Sequence, residues 1–366
     1  MKDIIQGEVL DSIIKNGYNG VVLGATGIGK AKIMVDVLKL LKPETTLYGC
    51  DNTELRDKTF LDEMLKWDGE EYIDKVDRQC YQTIYKWKDK EYDLFLADEA
   101  DFFITPKYFE VLKNNKFKHI LLFTGTMTDE KRNIISNYLS IIHEVKIAEA
   151  EERGAVNKIK VYFVNYNLTA IENAQYLSFN EQFKKLLSGN RRLNNQEKFR
   201  LKVIQRQRNL FFRRLNSSHF ATRELLKKLY NNHKNKILIF CGLTEEADRI
   251  CRYSYHGKST DPTLLEKFNN WEIRVLSVVD KIDRGVNLNE VNCIIFKSPS
   301  KSKTKIGQRS GRARRLQKDK ISHCFFMIPY YKTRRGELKP TIIHDYVWTG
   351  ASDLDLGNAT ILNINI

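Results

Sequence analysis

The chain is short of acid. It carries 46 Asp and Glu against 61 Lys and Arg, a formal net charge of +15 over 366 residues. That imbalance favours a polyanionic partner, nucleic acid first and an acidic membrane surface second, over a merely soluble basic surface. Long apolar runs are missing as well. None approaches a membrane span, and the start, Met-Lys-Asp-Ile-Ile-Gln, does not read as a signal peptide. A cytoplasmic protein with no membrane role is expected, in the host cytoplasm if the source is viral or phage. Cysteine is sparse: Cys50, Cys80, Cys241, Cys251, Cys293 and Cys324 are scattered without a C-x-x-C pair. Most adjoin apolar runs, so buried thiols in a reducing compartment are expected rather than zinc or disulfides. The length allows two cores and an appendage.

What is present centres on Leu23-Gly24-Ala25-Thr26-Gly27-Ile28-Gly29-Lys30. The apolar run Val21-Val22-Leu23 leads in as a buried strand, and Ile33, Val35, Val37, Leu38 and Leu41 lead out as a helix. Between them lies G-x-x-x-x-G-K, the spacing of a phosphate-binding P-loop. Glycines let the backbone N–H groups turn inward at a triphosphate. The helix adds its positive N-terminal end, and Lys30 reaches the β/γ oxygens. A tight strand-to-helix turn is the bland alternative. The residue after the lysine is normally Ser or Thr, whose hydroxyl ligates Mg²⁺; here it is Ala31.

Residues 4–16 read as a helix carrying Gln6. After the P-loop helix, Thr45–Cys50 reads as a strand, followed by Asp51-Asn52-Thr53, where Asp or Asn caps the next helix. Residues 79–87, which include Thr83, mix polar and aromatic side chains, as a half-buried helix or a nucleic-acid contact. Tyr92–Ala97 is an apolar strand ending in Asp98-Glu99-Ala100-Asp101. Asp98 is placed to hold Mg²⁺, directly or through water, and Glu99 to polarise the attacking water. An acidic surface loop is the alternative. His119–Phe123 ends in Thr124-Gly125-Thr126, whose hydroxyls either sense a γ-phosphate or make a plain turn. Alternating strands and helices give a parallel α/β sheet, closing near residue 150.

A second set of strands starts at Lys158. From about 167 to 233 the pattern turns helical and basic, with Arg191, Arg192, Arg206, Arg213 and Arg214 among its cations. The interleaved Phe199, Phe211, Phe212 and Phe220 stack on bases or, more often at helical spacing, fill a core. Strand signals resume at Lys236–Cys241 and Ile273–Val279, the latter running into Asp280 to Asn287 with Lys281 and Gly285. Gly307-Gln308-Arg309-Ser310-Gly311-Arg312-Ala313-Arg314-Arg315 begins a helix on which Arg309, Arg312 and Arg315 share a face. Arginine suits bidentate phosphate contact and the charge of phosphoryl transfer.

Taken in order, these motifs resemble those of the superfamily-2 helicases and translocases, the DExD/H-box motors, over about residues 1–165 and 233–330. Gly24–Lys30 resembles motif I, Asp98–Asp101 spells motif II as DEAD, and Thr124-Gly125-Thr126 is similar to motif III. Asp280–Asn287 resembles motif V through Arg284-Gly285, with Val279 where Thr is usual. Gln308–Arg315 matches Q-R-x-G-R-x-x-R of motif VI. The resemblance implies two tandem RecA-like parallel-sheet domains with a basic helical insertion: residues 1–150, then 151–335 with the insertion at about 167–233, then an extension over 336–366. It implies ATP and Mg²⁺ as cofactors and, besides Glu99, catalytic roles for Gln308, Arg312 and Arg315. Gln6, the P-loop from Gly24 through Ala31, Asp98, Gly285 and Asn287 form the implied nucleotide site, with Asp98 on the metal. Asn52 and Thr53 resemble motif Ia, which grips the sugar-phosphate backbone; Thr83, Arg206, Arg213, Arg214 and Lys281 complete the nucleic-acid set. The chain looks most like compact phage-encoded DNA-processing motors and those of restriction and fork-remodelling enzymes.

The expected function is a Mg-ATP-dependent helicase or translocase, a monomer acting on DNA or RNA, DNA favoured. The rival is a nucleotide-gated nucleic-acid binding or annealing protein whose ATPase is weak or lost at Ala31. A small-molecule P-loop kinase leaves motif VI and the net charge unexplained.

Overall fold

The structure is a computed structural model that describes residues 1–125, 127–188, 193–259, 261–279, 288–315 and 321–365. Contacts divide the chain into two units. The first holds Met1–Lys158 with Arg314 and Arg315; the second holds the rest of the described chain, including 336–365.

In the first unit the order is α1 (Lys2–Lys15), β1 (Asn19–Gly24), α2 (Lys30–Leu41), β2 (Thr46–Cys50), α3 (Phe60–Lys66), β3 (Val76–Cys80) and α4 (Tyr81–Ile84). Next come β4 (Glu91–Ala97), α5 (Pro106–Asn114), β5 (Lys116–Thr124), α6 (Asp129–Ile135), β6 (Ile141–Val145) and α7 (Ile147–Glu152). The strands form a parallel sheet in the order β3-β2-β4-β5-β1-β6. Both faces are covered, which is why β1 reads as a continuous apolar run rather than an alternating one. One core packs Ile5, Val9, Ile33, Val37 and Phe123 together; the other packs Val21, Phe95, Phe103 and Leu122.

The second unit runs β7 (Lys158–Asn167), α8 (Ala170–Leu187), α9 (Asn195–Arg213), α10 (Asn216–Tyr230), β8 (Ile237–Phe240), α11 (Thr244–Ile250), β9 (Ser254–Tyr255) and α12 (Leu264–Asn269). Then come β10 (Val275–Val278), β11 (Cys293–Phe296), α13 (Lys303–Gly311), β12 (Ile321–Lys332), β13 (Leu338–Pro340), α14 (Ile342–Gly350) and β14 (Thr360–Ile364). Its sheet order is β14-β7-β12-β11-β8-β10-β9, with β13 antiparallel on β12. The expected parallel-sheet α/β fold is present in both units. The basic stretch is the helices α8 to α10. Asn194 and Thr169 start α9 and α8 with capping boxes, each side chain accepting the third residue's N–H while that residue's Glu returns the bond.

The aromatics of this stretch divide. Phe212 is buried, whereas Phe199 is 69% and Phe220 52% exposed. Five cysteines are buried, Cys251 is half-buried, and all six are free thiols. Among the described residues no helix is long and apolar enough to cross a membrane.

One expected face is not realised. α13 ends at Gly311, and Arg312 is its C-cap. Arg312 N–H donates to Arg309 O and Ala313 N–H to Ser310 O, three residues back, so the last turn tightens and stops. The Ala313 carbonyl then accepts from Ser322 Oγ and the Arg314 carbonyl from Asn157 N–H. Arg315 therefore lies beyond the helix instead of on a stripe with Arg309 and Arg312.

Candidate nucleotide site of the first unit

The turn from Gly24 to Lys30 has the backbone that the P-loop spacing calls for. Gly27 and Gly29 have φ of 103° and 90°, backbone that a side chain would strain. Ile28 is buried and anchors the loop from inside. Lys30 opens α2, and its Nζ donates to Gly24 O at 3.2 Å, curled over the loop. Gly125 lies close to both: a Cβ there would sit 3.3 Å from Thr26 Oγ1 and 3.5 Å from Lys30 Nζ. Thus Thr124-Gly125 comes to the lysine end of the P-loop; Thr126 lies outside the described residues.

Asp98 and Glu99 come directly after β4, one strand from β5 and two from β1. Glu99 has φ +50°, a left-handed conformation costly for a residue with a side chain. Its N–H donates to Asp98 Oδ1 at 2.9 Å. Tyr48, on β2, donates its phenol to Asp98 Oδ2 at 3.3 Å, and Tyr81 donates to Asp98 O at 2.6 Å. Tyr48 is not evident in the sequence, because β2 is buried on every residue and so shows no alternation marking which side chains face the site. Lys131 Nζ donates to Asp101 O and pairs with its carboxylate at 4.0 Å.

Gln6 is 2% exposed. Its Nε2 donates to Ile28 O at 2.8 Å, and its Oε1 is buried without a partner. That orphaned acceptor beside the P-loop is what an adenine amino group satisfies, so the residues fit a bound ATP. For the metal, no cluster of three or more His, Cys, Asp or Glu exists among the described residues. Asp98 alone, with substrate oxygens and waters, suits Mg²⁺, which is commonly held by one or two carboxylates plus phosphates. Ala31 is half-buried against the core and offers no hydroxyl.

Burial pushes the Asp98 carboxyl up from 3.8 to about 7, helped by the neighbouring Glu99 charge and opposed by Lys30. The raised value means the fold favours the protonated acid. That contribution is complete below the unfolded pKa and is lost as pH rises through the folded one. The Mg²⁺-free protein is therefore expected to lose denaturant resistance between about pH 4 and 7. Asp98→Asn should flatten that slope; equal slopes in the two proteins would overturn the assignment.

Arg315 belongs to this unit. Burial lowers its pKa against the pull of Glu63; burial, then the charges of Lys66 and Arg315, likewise lower that of Lys2. Lys2 Cε would lie 3.2 Å from a Cβ on Gly29, which puts these cations near the P-loop. Arg314 is 2% exposed and pairs with Glu151. Arg312 and Gln308 are in the second unit, the former 9% exposed. Asn52 does cap locally, its Oδ1 accepting Leu55 N–H at 2.9 Å. Thr53 and Thr83 are exposed in the first unit; Arg206, Arg213 and Arg214 are exposed on or just after α9. Lys281, Gly285 and Asn287 lie outside the described residues, as do Arg191, Arg192 and Arg284.

Residues 221–317 match the helicase conserved C-terminal domain family. No curated protein matches the chain by sequence. Among solved structures, the ATP-dependent Type ISP restriction-modification enzyme LlaBIII bound to DNA superposes with a TM-score of 0.63 at 14% identity, covering 99% of this chain. This chain spans 31% of that enzyme's length. The helicase domain of Hef from Pyrococcus furiosus superposes at 0.56 with 15% identity, covering 96% of this chain and 97% of that one. Residues 221–317 thus resemble a helicase conserved C-terminal domain, and the whole chain shares the two-sheet α/β fold of these two solved structures.

Proposed function

We propose that the chain is a helicase or translocase that hydrolyses Mg-ATP to move on or remodel nucleic acid, DNA before RNA. The observation that carries this reading is the first unit's site: Lys30 over a curled P-loop, its charge acting on the Asp98 carboxylate, with Glu99 held beside it in a strained turn. When bound, Mg-ATP supplies the scissile phosphoanhydride and a metal charge that neutralises its oxygens. The P-loop N–H groups hold phosphates, and Lys30 exchanges Gly24 O for a phosphate oxygen. Gln6 Oε1 accepts from the adenine amino group. Asp98 would hold the metal, its carboxylate oriented by the Tyr48 phenol. Glu99 would take the proton of the attacking water, while Arg315, in the same unit, would offset the charge that develops during transfer. Steady-state ATPase with Mg²⁺, alone and with single-stranded DNA, forked DNA or RNA, tests it. Stimulation by one polymer names the substrate; no turnover with any of them removes the enzyme reading.

Ala31 supports a second reading, a nucleotide-gated nucleic-acid binder or annealer. Restoring a hydroxyl separates the two. In a motor, Ala31→Thr is expected to lower the Mg²⁺ concentration for half-maximal ATPase several-fold, the worth of a bond of about 1 kcal/mol. In a binder, the wild type grips polymer without turnover, and only the variant hydrolyses ATP.

A further inference from the structure

In the second unit β8 and β11 are parallel neighbours. From β8 the chain goes by α11 toward β9 and β10; from β11 it goes by α13 to β12, on the other side. The carboxyl ends of β8 and β11 therefore flank a topological switch point, where open α/β sheets receive ligands. A cavity of about 310 Å³ lies there, lined by Cys241-Gly242 after β8 and Lys297–Lys301 after β11. Two walls come from outside the motor sheet. One is α9 of the basic insertion, with Gln205, Asn209 and Arg213; the other is α14, with Ile343 and Tyr346.

Both walls are fixed. Arg213 lies across Gly242: a Cβ there would meet Arg213 Cγ at 2.7 Å, so only glycine lets the side chain settle, with Nη1 3.4 Å from Gly242 O. α14 presses on the 298–301 loop through Gly350, where a Cβ would sit 2.3 Å from Ser300 O. Tyr346 Oη donates to Asn209 Oδ1 at 3.4 Å and ties the two walls together. The lining carries Arg213, Lys297, Lys301, Lys305 and Arg309 and, among the described residues, no carboxylate. The field reaches beyond the cavity. Next to it, burial and the cations Arg249, Lys297 and Arg223 push the His219 imidazole down to about 4.

We infer that this cavity is a phosphate site for the backbone of a nucleic-acid strand, completed by the insertion helix α9 and the C-terminal helix α14. Arg213, Lys301, Lys305 and Arg309, gathered on one lining beside the Lys297–Glu246 pair, select an anion, and the amide and hydroxyl groups on the walls suit phosphate oxygens. The inference rests on the nucleic-acid reading above and adds to it a path for the strand through segments that the helicase C-terminal domain match, 221–317, leaves out on both sides.

The test is binding of a fluorescein-labelled oligonucleotide, without nucleotide, to the full chain and to Lys301→Glu and Gln205→Glu, one from the sheet-edge loop and one from α9. Both positions are exposed, and an unchanged thermal unfolding midpoint confirms the fold. Each variant is expected to bind about tenfold more weakly and to lower the slope of log affinity against log salt by about 1. Equal loss with and without a 5′-phosphate assigns the site to backbone; loss only with it assigns a terminal monoester to the same cavity and overturns the backbone path. Wild-type affinity and slope in both variants overturn the cavity while leaving the helicase reading intact. If the wild type binds no polymer but binds pyrophosphate, and the variants lose that, the cavity stands and the polymer reading fails.

Discussion

Glu99→Gln is expected to lower ATP turnover by about 10²–10⁴-fold, the contribution of a positioned general base, while a fluorescent ATP analogue binds as in the wild type. The substitution is nearly isosteric. It leaves the backbone N–H that donates to Asp98 Oδ1, so the carboxylate proposed to hold the metal keeps its orientation. What it removes is the proposed acceptor for the proton of water and one negative charge beside Asp98. The Glu99 charge is among the causes that raise the Asp98 pKa, so its loss leaves Asp98 more readily ionised. Metal binding should therefore hold or strengthen, and a fall in turnover then reports the chemical step. Turnover within tenfold of the wild type would take Glu99 out of the chemistry. The strained φ of +50° would then need another explanation.

The parts of this site that the sequence shows are those whose geometry is local. A P-loop is one turn between a strand and a helix, so its glycines and Lys30 are fixed by near neighbours. Asp98 and Glu99 are legible because they end an apolar run, and a buried strand delivers the residues after it to the sheet's edge. Contacts that depend on strand order are not legible. Tyr48 meets Asp98 because β2 lies beside β4, Tyr48 pairing with Leu96, and nothing in residues 46–50 specifies that neighbour. The extension from 336 gives no sign that its last strand, β14, pairs with β7 some 200 residues earlier, Thr360 opposite Tyr162. Nor does the Q-R-x-G-R-x-x-R spacing reveal that Gly311 stops its helix, because the competing bonds come from Ser322 and Asn157, outside the motif. The cationic cavity belongs to the same class. Its walls lie near residues 205, 241, 299 and 346, and only the fold assembles them.

Glu246→Ala is expected to cost the second unit about 3–5 kcal/mol, the scale for removing one partner of a buried ion pair. Glu246 and Lys297 are 6% and 1% exposed in their side chains and pair directly. The carboxylate is further satisfied by Gly242 N–H at 2.7 Å and by Ser298 Oγ at 3.4 Å. It therefore joins the loops after β8 and β11, the two strand ends that flank the cavity. Removal strands the Lys297 ammonium with little access to water and leaves the Gly242 N–H without its acceptor. Urea unfolding of the intact chain, followed by circular dichroism, measures the loss. Replacing both partners, Glu246→Leu with Lys297→Met, should recover most of it, since neither charge is then left buried alone. A single-variant cost below about 1 kcal/mol would mean that water reaches the pair and that surface-pair energetics apply. The same substitution bears on binding. Without Glu246 the Lys297 charge is no longer neutralised from behind, and phosphate in the cavity should be held more tightly even as the unit around it weakens. Tighter oligonucleotide binding in a less stable protein is a combination that generic unfolding does not produce, and it ties the buried pair to the cavity in front of it.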